Sequence, residues 1–435
     1  MKNVVSRIAI TRIFIRGSEI RARWISSRAV MSFGDGSQGA LGLPSSVTGI
    51  GGDAYEPTRV DGLPCDVMSV CAGHYHSLAV TSEGHVWAWG RNNEGQLGRG
   101  ISDPRESWGV PGKVEGLDRV RVQAAFASGV ISTAVGVDGS LWAWGNSKRG
   151  QLGLGKGIVI AVLPTRVEAL AGENVVKVSL GWGHALAKCE SGKLYGWGYS
   201  ADGRLGIMGG SETSLLESNA DIPNGGQQLE VVEKLVMEGM EKEKDMPVIW
   251  EPRVLTEVQD IEVIDVACGL DHTLILCRDN TLLSGGSNAY GQLGRESDKT
   301  AMSPVKLSHI PLSISSGLGH SFCICQESES PDTTYIVSWG WNQNHQLGRS
   351  KPHKIPKAVQ GLEDETPISV SGGRVHSIAL TSKGEAWVWG CGKNGRLGLG
   401  SSMDETEPCL IECSDGSQIL QVSAGYDHSL MLVAD

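Results

Sequence analysis

CAGHYHSLAVTSEGHVWAWGRNNEGQLG, residues 71–98, holds the grammar of the whole chain. Apolar residues alternate through Ser77–Thr81 and Val86–Gly90, and Ser82-Glu83-Gly84 lies between them, the pattern of two strands joined by a tight turn. Upstream, Val67–Ala72 reads as another strand, and a stretch near Val60 as a fourth member of the same unit. The turn motif WGRNNEGQLG (89–98) recurs as FGDGSQGALG (33–42), WGNSKRGQLG (144–153), WGYSADGRLG (197–206), GGSNAYGQLG (285–294), WGWNQNHQLG (339–348) and WGCGKNGRLG (389–398). A second motif, G-x-x-H-[S/T/A], begins at Gly73, Gly181, Gly269, Gly317, Gly373 and Gly425. A degenerate copy reads Gly129–Thr133, with Ser132 in the histidine position. A third, Pro-x-x-[V/L/I], starts at Pro57, Pro111, Pro164, Pro252, Pro304, Pro356 and Pro408.

Each motif occurs seven times, which makes the repeat the unit of folding. Four short strands per unit, repeated seven times, predict an all-β, seven-bladed β-propeller. The chain opens in mid-repeat (Val30–Leu43) and stops in mid-repeat (Ile419–Val433). Either half alone would expose strand edges. The N-terminal and C-terminal half-repeats are therefore expected to pair and close the ring over residues 29–435.

Composition agrees. Of 435 residues, 59 are Gly, and the 13 Trp outnumber the 4 Phe, which excludes a long helical bundle because each interior Gly costs about 1 kcal/mol. No apolar run is long enough to span a membrane as a helix. The net charge of −11 is uneven. Residues 1–30 carry seven bases and one acid, a net of +6; the rest carry 31 bases and 48 acids, a net of −17. The Arg-rich, acid-poor residues 1–28 read as a mitochondrial presequence, with cleavage expected near Arg23–Ser27 and the matrix as destination. An acidic body disfavours direct nucleic-acid binding. Residues at about 207–250 interrupt the repeat with nine acids and three bases, an acidic insertion suited to a basic partner. The ten cysteines show no disulfide-framework or metal spacing.

The three motifs resemble those of the regulator of chromosome condensation family, which includes plant UV-B receptor-like proteins. The resemblance spans nearly the whole chain and, with the presequence, points to a plant mitochondrial member. It implies a binding scaffold without catalytic, cofactor or metal residues, and the repeated histidines read as structural. The variable pairs of the G-x-x-H loops are expected to share one face: His74/Tyr75, Val130/Ile131, Trp182/Gly183, Leu270/Asp271, Leu318/Gly319, Arg374/Val375 and Tyr426/Asp427. From these, His74, Tyr75, Trp182, Asp271, Arg374, Tyr426 and Asp427 are the candidate partner-binding residues. In family members that exchange guanine nucleotides, acids and a His in these loops contact the GTPase, and Asp271, Asp427 and His74 match that chemistry. Photoreceptor members carry several Trp in these loops; here Trp182 stands alone, which argues against light sensing. The expected role is assistance to organelle RNA processing, namely intron splicing of respiratory-subunit transcripts and hence respiratory complex I biogenesis. The expected partners are basic RNA-binding or splicing factors; the alternative is exchange on a small organelle GTPase.

Overall fold

The computed structural model describes residues 27–44, 52–100, 105–207, 247–297, 299–327, 333–351, 353–412 and 416–434. The region read as a presequence and most of the acidic insertion lie outside them. Seven four-stranded antiparallel sheets form the blades of a β-propeller, and no α-helix occurs among the described residues. Blade 1 runs Val67–Ala72, His76–Thr81, Val86–Gly90, Gly112–Lys113. Blades 2 to 6 repeat this order over residues 122–166, 175–254, 263–305, 310–358 and 367–410.

Blade 7 is composite. Ile419–Ala424 and His428–Ala434 come from the C-terminal end, Arg28–Gly34 and Ala54–Arg59 from the N-terminal end. Arg28–Gly34 pairs residue for residue with His428–Ala434, from Arg28 opposite Ala434 to Gly34 opposite His428. Closure by half-repeats is thus two strands against two. The blade boundary differs from the sequence expectation: the strand just before Val60 belongs to blade 7, not to blade 1. The outer strand of each blade follows its W-G strand in sequence, because the Pro-x-x-[V/L/I] segment folds back on that strand.

The first strand of every blade faces the axis, and neighbouring first strands touch all the way round. Their exposed edges would leave backbone N–H groups unpaired. Side chains of the adjacent blade supply acceptors: Gln421 Oε1 for Val70 N (3.0 Å), Ser423 Oγ for Ala72 N (3.0 Å), Ser179 Oγ for Cys268 N (2.9 Å). Between blades sit Trp89, Trp144, Trp197, Trp339 and Trp389, all fully buried. Each withdraws about 200 Å² of surface from water, worth roughly 5 kcal/mol as an upper estimate.

Candidate functional site

The seams between blades fix where the loop residues point. At six of the seven a motif His meets the hydroxyl of the next blade's motif; at five the hydroxyl proton goes to a carbonyl of the first blade's L-G turn, and at four of these a Trp joins it. His76 Nε2 lies 2.7 Å from Ser132 Oγ, which donates to Gln96 O (2.8 Å), and Trp144 Nε1 donates to the same oxygen (2.8 Å). The triads His428–Ser77–Ala40 O, His272–Ser321–Gln292 O and His320–Ser377–Gln346 O repeat it, joined by Trp89, Trp339 and Trp389. Since the hydroxyl proton is committed to the carbonyl, the imidazole donates from Nε2. Burial drives the imidazole pKa down, to about 3 for His76, His272 and His320 and about 4 for His428. These histidines are neutral structural ties.

The remaining seams depart in a patterned way. His76 bonds Ser132, so Ser132 matches Ser77 and Ile131 takes the histidine position; the Gly129–Thr133 reading was one residue out of register. Gly145 confirms it: a Cβ there would stand 2.2 Å from Val130 O, as one at Gly90 would stand 2.6 Å from Tyr75 O. The blade 2 pair on the loop face is therefore Gly129/Val130, not Val130/Ile131. Ser128 fills the motif's glycine position. In blade 3 a Cβ at Gly181 would collide with His184 Cε1 at 2.4 Å. Blade 2 lacks that imidazole and accommodates the Ser, whose Oγ donates to Gly181 O (2.8 Å). The next blade's hydroxyl is gone too, replaced by buried Ala185.

Two seams lack the Trp: blade 4 has Gly285 in that position and blade 7 has Phe33. Both follow a turn that reads G-R-L-G instead of G-Q-L-G, H-Q-L-G or G-A-L-G. The buried arginines, Arg204 and Arg396, cross to the next blade's loop acid. Arg204 Nη1 donates to Asp271 Oδ1 (2.7 Å), and Arg396 Nε lies 3.0 Å from Asp427 Oδ1. Asp271 and Asp427, candidates for contact with a partner, are thus held by inter-blade ion pairs. The signal was legible: only the two G-R-L-G turns are followed by a loop ending Asp-His.

The other candidates converge. The G-x-x-H loops do gather on one face, around an axial cavity of about 110 Å³ lined by all seven blades, too small for a nucleotide-sized ligand. Beside it His74 stacks on Trp182 with ring centroids 5.0 Å apart and planes at 19°, and lies 5.0 Å from Tyr426. Tyr75 lies 5.4 Å from Tyr426. Arginines rest on these rings: Arg149 at 5.4 Å from Trp182, Arg374 at 4.6 Å from Tyr426, Arg91 at 5.3 Å from Tyr75. Arg374 also makes a two-pronged bond to Asp427 (3.0 and 2.8 Å). Desolvation among the rings lowers the pKa of His74 and keeps it neutral. Sequence reasoning missed Arg91, Tyr199 and Trp341, which follow the W-G pair directly, and Arg149 in the same turn. Tyr199 lies under Arg149 (5.3 Å), and Trp341 packs 5.6 Å from Tyr290. Among the described residues no group of three or more His, Cys, Asp or Glu is placed to hold a metal, and no helix is long and apolar enough to cross a membrane.

Residues 29–431 match the family described as RCC1-like domain. The chain is 28% identical to the ultraviolet-B receptor UVR8 of Arabidopsis thaliana, over 92% of this chain and 81% of that one. It is 27% identical to the RCC1 domain-containing protein RUG3, mitochondrial, of the same plant, over 88% and 80% respectively. The crystal structure of Prp20p from Saccharomyces cerevisiae, reported with its binding to Gsp1p and histones, superposes with a TM-score of 0.75. The sequences there are 23% identical, with coverage of 95% of this chain and 92% of that one, a likeness of fold.

Proposed function

The chain belongs to the RCC1-like domain family, and from that premise we propose that it is a non-catalytic mitochondrial scaffold that docks protein partners through its G-x-x-H loop face and assists organelle RNA processing. The observation that carries the docking role is the ring's collection of His74, Tyr75, Trp182, Arg374 and Tyr426 into one half-buried patch. Trp, Tyr and Arg are the residues enriched in interface hot spots. The mitochondrial address is supported by the composition of residues 1–28 and by the likeness to a relative labelled mitochondrial. The RNA-processing role, with intron splicing of respiratory-subunit transcripts as its instance, is supported by that address together with a body too acidic to favour RNA itself.

The test is affinity purification of the tagged protein from nuclease-treated mitochondria, beside a Trp182→Ala variant. RNA-processing proteins retained by the wild type and lost by the variant support the reading. Partners indifferent to Trp182→Ala would sink it. Enrichment of a GTPase on nucleotide removal would transfer the function to exchange.

A further inference from the structure

The loop face is not chemically uniform round the ring. In one half the rings engage one another and arginines: Trp182 meets His74 and Arg149, and Tyr426 meets His74 and Arg374. The sector of blades 4 and 5 differs. Tyr290 is 43% exposed, packs only on Trp341, and carries no cation on its ring among the described residues.

Lysines flank this open ring. A Cβ on Gly291, the next residue, would stand 2.7 Å from Lys354 Cα, so the outer strand of blade 5 abuts the turn. On its other side Asn288 Nδ2 donates to Ser297 O (3.2 Å), which brings the segment carrying Lys299 onto the same turn. Lys299, Lys351, Lys354 and Lys357 are exposed. None of the four has an ion pair or a side-chain hydrogen bond among the described residues. Residues 333–362 contain no acid, and together with 285–306 they hold seven bases against two acids. The Asp202–Arg204–Asp271 cluster at the adjoining seam takes one charge back, so the sector stays net positive within a chain of net charge −11.

An ammonium on a flexible stem is a point charge suited to phosphate. An open aromatic face suits an unpaired base, whichever base it is. An acidic peptide would engage the lysines and give the ring nothing to stack. We propose that this sector binds single-stranded nucleic acid, with a base on Tyr290 and the flanking phosphates on Lys299, Lys351, Lys354 and Lys357. The acidic body repels a strand elsewhere and so confines it to this sector. The proposal deepens the RNA-processing reading and rests on it only for the choice of RNA over DNA.

Fluorescence anisotropy tests it with the purified full-length chain and labelled oligonucleotides of about 20 nucleotides, RNA and DNA of one sequence. No mitochondrial component is present, so failure here leaves the capture of protein partners through Trp182 standing. Log affinity for RNA against log salt should have a slope of about −2 to −3, three or four phosphates being neutralised. The triple variant Lys351→Gln/Lys354→Gln/Lys357→Gln should bind at least about tenfold more weakly and lose about two from that slope. Tyr290→Ala should weaken binding at least about fivefold with the slope unchanged. Tyr290→Phe keeps the ring and should bind as the wild type does, and all three variants should keep its melting temperature. Crosslinks from 4-thiouridine are expected in the peptides around Tyr290 and Lys354. DNA bound in preference to RNA would uphold the site and overturn its link to RNA processing. No binding, binding indifferent to Tyr290→Ala and the lysine variant, or crosslinks confined to the basic residues 1–28 would overturn the proposal. Displacement by polyglutamate as readily as by unlabelled RNA would overturn it too and assign the sector to an acidic protein.

Discussion

Asp271 and Asp427 show how a residue can look functional and be architectural. Each carboxylate sits where a partner could reach it, 23% and 20% exposed, yet each is held by an arginine 2% or 3% exposed. A guanidinium so buried is costly without its counter-charge. Asp271→Ala removes one of the two acids on Arg204, Asp202 staying 3.1 Å away, and is expected to lower stability by about 2 kcal/mol, the loss of a hydrogen bond to a charged group, read from the urea midpoint, with no partner present. In the double variant Arg204→Ala/Asp271→Ala the loss should fall short of the sum of the single losses by about 1–3 kcal/mol. Additive losses would show that the pair does not tie the blades. Trp89→Phe is a milder change, because Phe33 already occupies the equivalent position in blade 7. It should cost about 1 kcal/mol, the bond from Nε1 to Ala40 O, in the same titration.

At the scale of the blade, three kinds of tie make up the seams: the His–hydroxyl–carbonyl chain, the Trp Nε1–carbonyl bond and the Arg–Asp pair. Four seams combine the first two. The seam entering blade 7 combines the first and third, and the one entering blade 4 combines the third with the His184–Thr273 contact (2.9 Å), while the one between blades 2 and 3 keeps the Trp197 bond to Gln151 O (2.6 Å). Strand count, closure and the shared loop face were legible because the repeat fixes them seven times over. The blade 2 register was not, since Gly129 happens to sit three residues before a polar Ser and imitates the motif. The ring stack was half legible: its G-x-x-H members stood out, whereas Arg149 lies in a turn whose direction only packing reveals. Blade 2 offers a test of the seam's logic. Ile131→His buries an imidazole against Ser128 and opposite Ala185, where nothing accepts its proton, and should destabilise by about 1–3 kcal/mol. Adding Ser128→Gly and Ala185→Ser rebuilds the tie found at the other seams and should recover most of that loss. If the triple variant melts no higher than Ile131→His alone, the three positions are not a unit.

For the whole ring, the buried histidines add up to a collective acid sensitivity. Besides the four with pKa values near 3 or 4, His184 and His376 are held well below 6.5, again by desolvation first. In the unfolded chain these six and His74 take up protons near pH 6.5, whereas in the folded ring His74, His76, His272, His320 and His428 stay neutral down to about pH 3–4 and His184 and His376 stay neutral well below 6.5. Between those limits the unfolded state binds more protons, so stability is full above pH 6.5 and falls as pH drops below it. Each neutral imidazole can contribute a slope of up to about 1.4 kcal/mol per pH unit, and seven act together. The urea midpoint should be flat from pH 8 to 7 and decline steeply from pH 6 to 5. Replacing one tie outright, with His76→Ile and Ser132→Ala to copy the seam between blades 2 and 3, should make that decline shallower by roughly a seventh while leaving its onset in place. A midpoint that does not move between pH 7 and 5 would mean that the imidazoles are protonated in the folded ring, and the Nε2–H to hydroxyl to carbonyl chains would no longer be the reason the blades hold together.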